Sequence, residues 1–189
     1  MLRRLASFLT FFVLAFSLSS AWADEYDETI AAFRKARESG SYFGKSYGYA
    51  VFPTIGKGGV VVGGAYGKGR VYEKGKYVGD TSMTQITAGF QLGGEAYSQI
   101  IFFENQQAFN QFTSGNFEFG AQAQAVAITA GASAATTTTG SAAGASITQN
   151  DAKNVARTYN GMTTFTVAKG GLMYEASIGG QKFNYKKKE

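Results

Sequence analysis

The sequence predicts an α+β, β-dominated fold: an antiparallel, strongly twisted sheet or barrel-like domain with an N-terminal helix and a short internal helix. Three observations predict it. Glycine (25), phenylalanine (16) and tyrosine (11) are abundant, whereas proline occurs once, at Pro53. That mixture, with many β-branched residues, favours strands joined by tight turns. Short apolar runs alternate residue by residue between glycine-rich breaks. Helical spacing appears in only two places.

The first 23 residues have the build of a cleavable export signal. Arg3 and Arg4 precede an apolar stretch from Phe8 to Leu18, and Ala21-Trp22-Ala23 supplies a small-x-small cleavage site before Asp24. The apolar stretch is short of the ~20 residues that span a bilayer. The general secretory route is expected, with a periplasmic or secreted product, either free or peripheral on a membrane, and residues 24–189 forming one domain. No cysteine follows the apolar stretch, so a lipoprotein anchor is not expected. Removing residues 1–23 takes two arginines and leaves 16 basic and 13 acidic residues, a net +3. That charge alone does not call for nucleic acid.

Residues 25–38 form the first expected helix, with Tyr26, Ile30, Phe33 and Arg37 on one face and Gly40 as its stop. Tyr47–Phe52 reads as a strand ended by Pro53. Residues 59–66 hold a short strand around Val60-Val61-Val62. Glu73-Lys74-Gly75-Lys76 reads as a hairpin between Val71-Tyr72 and Tyr77-Val78. Ile86, Ala88, Phe90 and Leu92 alternate with Thr87, Gly89, Gln91 and Gly93. The spacing predicts that the four apolar residues face the core and that another group passes close over the glycines. Ser98–Phe103 is a further strand. Asn105 caps the second helix, which turns Ala108, Phe109 and Phe112 inward and ends at Gly115. Phe117–Ala130 alternates weakly. Ala132–Gly144 reads as either a loop or a small-residue strand. Thr163–Val167, Leu172–Ile178 and Lys182–Tyr185 are the last strands, with Gly170-Gly171 and Gly179-Gly180 as turns.

The chain has no cysteine and no histidine. Thiolate chemistry, disulfides and the usual neutral-pH base are therefore excluded, and the commonest metal ligands are missing. No cofactor, metal or catalytic residue is expected. Gly44-Lys45-Ser46 resembles the end of a phosphate loop, but the required upstream glycine position is Ser39. The carboxylates Glu73, Asp80, Glu95, Glu104, Glu118, Asp151 and Glu175 are scattered. Cations gather beside glycine: Lys45, Lys57, Lys68, Arg70, Lys74, Lys76 and Lys169, with Lys186-Lys187-Lys188 near the end. Such a set reads either as soluble turn tips or as a cationic rim for anionic phospholipid.

Tyr49-Ala50-Val51-Phe52-Pro53 followed by Gly56-Lys57-Gly58-Gly59, Val61-Val62-Gly63-Gly64, Tyr66-Gly67 and Gly69 resembles the SYLF lipid-binding domain family. Its other common name marks an actin-binding domain in fungal members. Further likenesses follow in family order: Gly89-Phe90-Gln91-Leu92-Gly93-Gly94, Ile100–Phe103 before Ala108-Phe109 and Phe112, and Lys169-Gly170-Gly171-Leu172-Met173 through Ile178 and Gly180. The resemblance covers about residues 28–185. It implies a β-rich, non-catalytic domain with an N-terminal helix that binds membrane lipid. The lipid-binding residues expected on this reading are Ile30, Phe33, Arg34 and Arg37 on the helix, joined by Lys45, Lys57, Lys68, Arg70 and Lys169. Tyr26, Ile30 and Phe33 would lie in the interface; docking of the helix onto the sheet by the same three residues is the competing arrangement. The export signal sets actin aside as a partner. An envelope protein held at a sheet edge is the alternative to phospholipid.

Overall fold

A computed structural model describes residues 21–59, 62–88, 95–128, 158–169 and 178–189. Helix α1 (Ala21–Lys35) leads through a 3-10 turn (Gly40–Gly44) into strand β1 (Gly48–Gly59). Strands β2 (Val62–Glu73), β3 (Lys76–Ala88) and β4 (Glu95–Phe103) follow. Helix α2 (Gln106–Phe112) comes next, then β5 (Phe117–Glu118), β6 (Val126–Ile128), β7 (Met162–Lys169) and β8 (Lys182–Lys187). They form one curled, barrel-like sheet in the order β5-β8-β3-β2-β1-β4-β7-β6. All pairings are antiparallel except β6 with β7. The β-dominated α+β class with an N-terminal helix is the class the sequence predicts.

Local chemistry explains each boundary. Lys74 (φ 48°) and Gly75 (φ 81°) both take positive φ, the two-residue turn that matches strand twist, so β2 and β3 form the expected hairpin. Helix α2 starts where Asn105 Oδ1 accepts from the Ala108 N–H at 2.9 Å, and Gly115 follows it with φ 96°. Ala108, Phe109 and Phe112 are buried, as their spacing required.

Four expectations are corrected. Helix α1 begins four residues before its expected start and ends three before its expected end, where the chain turns at 36–39 and Ser39 Oγ donates to the Phe33 carbonyl at 2.6 Å. Pro53 does not end its strand. β1 runs on to Gly59, and the register shifts between Val51 and Ile55 against β2, and between Phe52 and Ile55 against β4. A proline with no N–H is tolerated at such an irregularity, and its carbonyl accepts from Ser98 Oγ at 2.7 Å. Of the segment expected at 59–66, Gly59 ends β1, and residues 62–66 share one long strand, β2, with Val71-Tyr72. Finally, Ile86 is 83% exposed while its neighbour Gln85 is buried. Gln85 turns inward because its Nε2 donates to the Gly179 carbonyl at 2.9 Å. The expectations for Val60, Val61, Gly89, Phe90, Gln91, Leu92, Gly93, Ala132–Gly144, Gly170-Gly171 and Leu172–Ser177 lie outside the described residues.

The sheet carries a core on each face. Ala50, Phe52, Ile55, Val71, Met83, Tyr97, Ile101, Phe103 and Phe183 point inward, where α2, Phe117 and Phe119 cover them. Inside this core Gln99 Nε2 donates to Gln181 Oε1 at 2.9 Å, and Gln181 Nε2 donates to the Tyr97 hydroxyl at 3.2 Å. That pairing satisfies two buried amides and ties β4 to the start of β8. Tyr49, Val51, Tyr72, Ile100, Phe102 and Phe165 point to the outer face, beneath α1 and the 3-10 turn.

Candidate functional site: the outer face of the sheet

Strand register places the expected cations that stand on strands. On β2, β3, β7 and β8 the outward positions include Lys68, Arg70, Lys169, Lys182 and Lys186, against the acids Asp80 and, on β5, Glu118. Lys188, just past β8, adds its ammonium 4.5 Å from the Tyr77 ring centroid. The outer face of the strands is therefore cationic.

Alternation along a strand separates the remaining residues. Lys57 pairs with Ala65 of the inner core, so it points to the opposite face from Lys68. Lys45 is exposed just before β1, about 30 Å of strand from Lys57 at ~3.3 Å per residue. The structure thus unites Lys68, Arg70 and Lys169 and separates them from Lys45 and Lys57. Lys182, Lys186 and Lys188 belong with the first group. The signal for Lys182 and Lys186 was present in the period-2 alternation of β8, whose residues Phe183 and Tyr185 point inward.

Helix α1 is docked. Phe33 is 1% exposed within the outer core, and Tyr26 and Ile30 pack against the same cluster. Of the two arrangements open for this helix, the structure adopts the docked one. In it the side chains of Ile30 and Phe33 face the sheet, not a lipid surface. Arg34 lies exposed with its guanidinium 4.7 Å from the Phe43 ring, and Arg37 is exposed beyond the helix end. Polar contacts fasten the first turn: Thr54 Oγ1 donates to Glu25 Oε1 at 2.7 Å, and Lys169 Nζ sits 2.6 Å from Thr54 Oγ1 and 3.5 Å from Glu25 Oε1. Both ionic partners are close to half exposed, so this pair contributes at most about 1 kcal/mol. The Arg70 guanidinium lies between Tyr26 (4.1 Å) and Tyr77 (5.0 Å), and the Tyr77 hydroxyl donates to Asp80 Oδ1 at 2.7 Å. Burial raises the phenols of Tyr49 and Tyr77 to about 12, the Asp80 hydrogen bond adding to the rise at Tyr77. The aromatic seam under α1 is uncharged at neutral pH.

Two more of the described carboxylates hold structural partners. Glu73 accepts from the Tyr47 hydroxyl, and Glu118 lies 3.5 Å from Lys182 Nζ. Among the described residues no group of three or more acidic side chains is placed to hold a metal ion, and no helix is long and apolar enough to cross a membrane. An open groove of about 500 Å³ is lined by Glu118, Phe119, Gly120, Ala121, Tyr159, Gly179 and Gly180. Its lining has one acid and no cation, the reverse of what an anionic headgroup requires.

Residues 84–189 match the Ysc84 family model, described as a Las17-binding protein actin regulator. The chain belongs to the Ysc84 (SYLF) family. The chain is also similar to Beta cell expansion factor A of Aeromonas veronii, at 28% identity over 158 residues. The similarity covers 82% of this chain and 51% of that protein, so the chain spans about half the length of this relative. Family membership identifies a lipid-binding or actin-regulatory module, in a family of binding domains rather than catalysts. Within the SYLF match lie Ile86, Lys169 and β8; β1 and β2, which build the centre of the outer face, precede it.

Proposed function

We propose that this SYLF domain is an exported, non-catalytic module that binds anionic phospholipid surfaces peripherally through its outer face. The observation that supports this most is the charge asymmetry of the strands, five outward cations to two acids at paired positions, with Lys188 beside them. Each basic residue held near an anionic leaflet adds roughly 1 kcal/mol. The test is flotation with phosphatidylglycerol or phosphatidylcholine vesicles at low and high salt. Wild type floats with phosphatidylglycerol at low salt and is released at high salt, where the Debye length shrinks to a few ångströms. A Lys68/Lys182/Lys186 triple change to Gln weakens binding about a hundredfold, while Lys45→Gln does not. Failure of wild type to bind phosphatidylglycerol at low salt ends this reading.

Export rests on the leader. Cleavage after Ala23 leaves Asp24 and Glu25 at the start of α1, where the helix dipole favours negative charge. N-terminal sequencing of envelope-fraction protein that begins at Asp24 supports it, and an intact Met1 there rejects it. A second reading is a protein-interaction module, in line with the partner named in the family description. One observation favours it: β6 pairs with β7 only at Phe165–Val167, so among the described residues Ala168 and Lys169 continue that edge with no second strand beside them.

A further inference from the structure

The outer face has two unlike halves. One is covered by α1 and the 3-10 turn. The other comprises Thr54, Gly56 and Gly58 on β1, Gly64, Tyr66 and Lys68 on β2, and Ser82, Thr84 and Ile86 on β3. An added Cβ at Gly56 or Gly58 would meet nothing within 4 Å, and at Gly64 only the Gln85 carbonyl at 3.5 Å. Among the described residues nothing covers the solvent side of this floor. Two large apolar side chains stand on it, Ile86 at 83% and Tyr66 at 51% exposed. Tyr66 pairs with Thr84, which makes Ile86 its diagonal neighbour on the same face.

A single exposed isoleucine needs no explanation. Here, though, it shares a small-residue floor with a tyrosine, and lysines outnumber acids around them, Glu118 lying beside Lys182 and Asp80 opposite Lys186. The nine positions named carry no acidic side chain, and among the described residues the acid that reaches them is Glu25 of α1, at Thr54 on the border with the covered half. Lys68 stands one outward position from Tyr66 and has no ion-pair or hydrogen-bond partner among the described residues. Lys182 pairs with Thr84 in the row of Tyr66, and Lys186 follows two positions along. An apolar tip and an aromatic ring rimmed by lysines match the depth profile of a bilayer interface: acyl boundary, headgroup level, anionic surface.

We propose that Tyr66 and Ile86 are the membrane foothold of this domain, entering the interface of an anionic phospholipid bilayer while α1 stays docked on the other half of the face. The proposal rests on the phospholipid reading above and assigns its contact to the sheet rather than the helix. The bare glycines have a role in it: with no side chain on the floor, nothing holds the bilayer away from the two apolar tips.

The chain's one tryptophan is Trp22, so a Trp22→Phe background has no tryptophan emission. In that background single tryptophans are placed by Ile86→Trp, Tyr66→Trp and Ile30→Trp, and vesicles of phosphatidylglycerol with brominated acyl chains are added. Emission at positions 86 and 66 shifts to the blue and is quenched; emission at position 30, already against the sheet, does not change. Ile86→Asp keeps the wild-type melting temperature and weakens vesicle binding about tenfold. Quenching at position 30 but not at 86 overturns the proposal in favour of a released helix. Vesicle binding with neither position quenched and Ile86→Asp behaving as wild type removes the foothold while leaving lipid binding intact. No binding by any variant or by wild type removes both. Lipid-free self-association abolished by Ile86→Asp, with vesicle binding unchanged, makes the face a contact between copies and likewise overturns it.

Discussion

Phe183→Ala destabilises the domain by about 3–5 kcal/mol, the range for truncating a fully buried aromatic side chain. Phe183 is 1% exposed and stands on β8 facing inward. Its ring centroid lies 5.0 Å from that of Phe112, 5.6 Å from Phe119, 5.7 Å from Phe52 and 6.1 Å from Phe117. These partners come from α2, β1 and the segment at β5 that holds Phe117 and Phe119, so one side chain joins three parts of the chain to β8. Its neighbours cannot all collapse into the space it leaves, because they are fixed by three separate segments. Domains of this size are stable by about 5–15 kcal/mol, so the variant loses a large fraction of the total. Urea unfolding shows it as a much lower midpoint. Asn184→Ala, the exposed next residue, changes stability by no more than about 0.5 kcal/mol. An unchanged midpoint for Phe183→Ala would mean that β8 is not docked on the inner core.

The inner core was legible where side-chain chemistry is strongly periodic. Ala108, Phe109 and Phe112 followed helical spacing behind an asparagine cap, and the Lys74-Gly75 turn followed from residue type. Legibility failed where long-range partners override local signals. Pro53 ordinarily stops a strand, but the register shift beside it removes the demand for its N–H. Ile86 and Gln85 are the plainest reversal. Hydropathy puts isoleucine inside, whereas the Gly179 carbonyl, 94 residues away, supplies the hydrogen bond that holds Gln85 there. A single hydrophobic pattern does not reveal that partner. The candidate site split along the same line. Lys68, Arg70 and Lys169 were in view as basic residues near glycine. Their common face, and its separation from Lys57, depend on strand parity beyond the shift in β1. Tyr66 and Ile86 gave no sequence signal, since nothing local says which side of β2 or β3 is left uncovered. Helix α1 allowed both docking and lipid contact from its apolar stripe, and the aromatic surface of Tyr49, Phe102 and Phe165 beneath it accounts for docking.

Gly69→Val destabilises by about 3 kcal/mol, whereas Gly58→Val is neutral or stabilising by up to about 1 kcal/mol, although both glycines sit in long central strands. The difference lies in what each hydrogen faces. A Cβ at Gly69 would stand 2.7 Å from Phe52 Cδ1 and Cε1 and 2.8 Å from the Val51 carbonyl oxygen. All three are closer than real Cβ contacts allow. The Phe52 ring is fully buried and packed against Phe183, so it has nowhere to turn. The Val51 carbonyl belongs to the backbone of a central strand and shifts only if the sheet shifts. The two methyls of valine add to the clash, and its strand preference cannot offset it. At Gly58 a Cβ meets nothing within 4 Å, and φ lies outside the left-handed range, so valine gains strand propensity and narrows the unfolded ensemble at no steric cost. Gly69 is thus a glycine that the Phe52 ring passes over closely; the same expectation for Gly89 and Gly93 lies outside the described residues. Melting temperatures of the two variants, measured side by side against wild type, check both signs at once. A Gly69→Val variant as stable as wild type would show that Phe52 has a second rotamer open to it, and a Gly58→Val variant that unfolds early would show that the open half of the outer face is covered in solution.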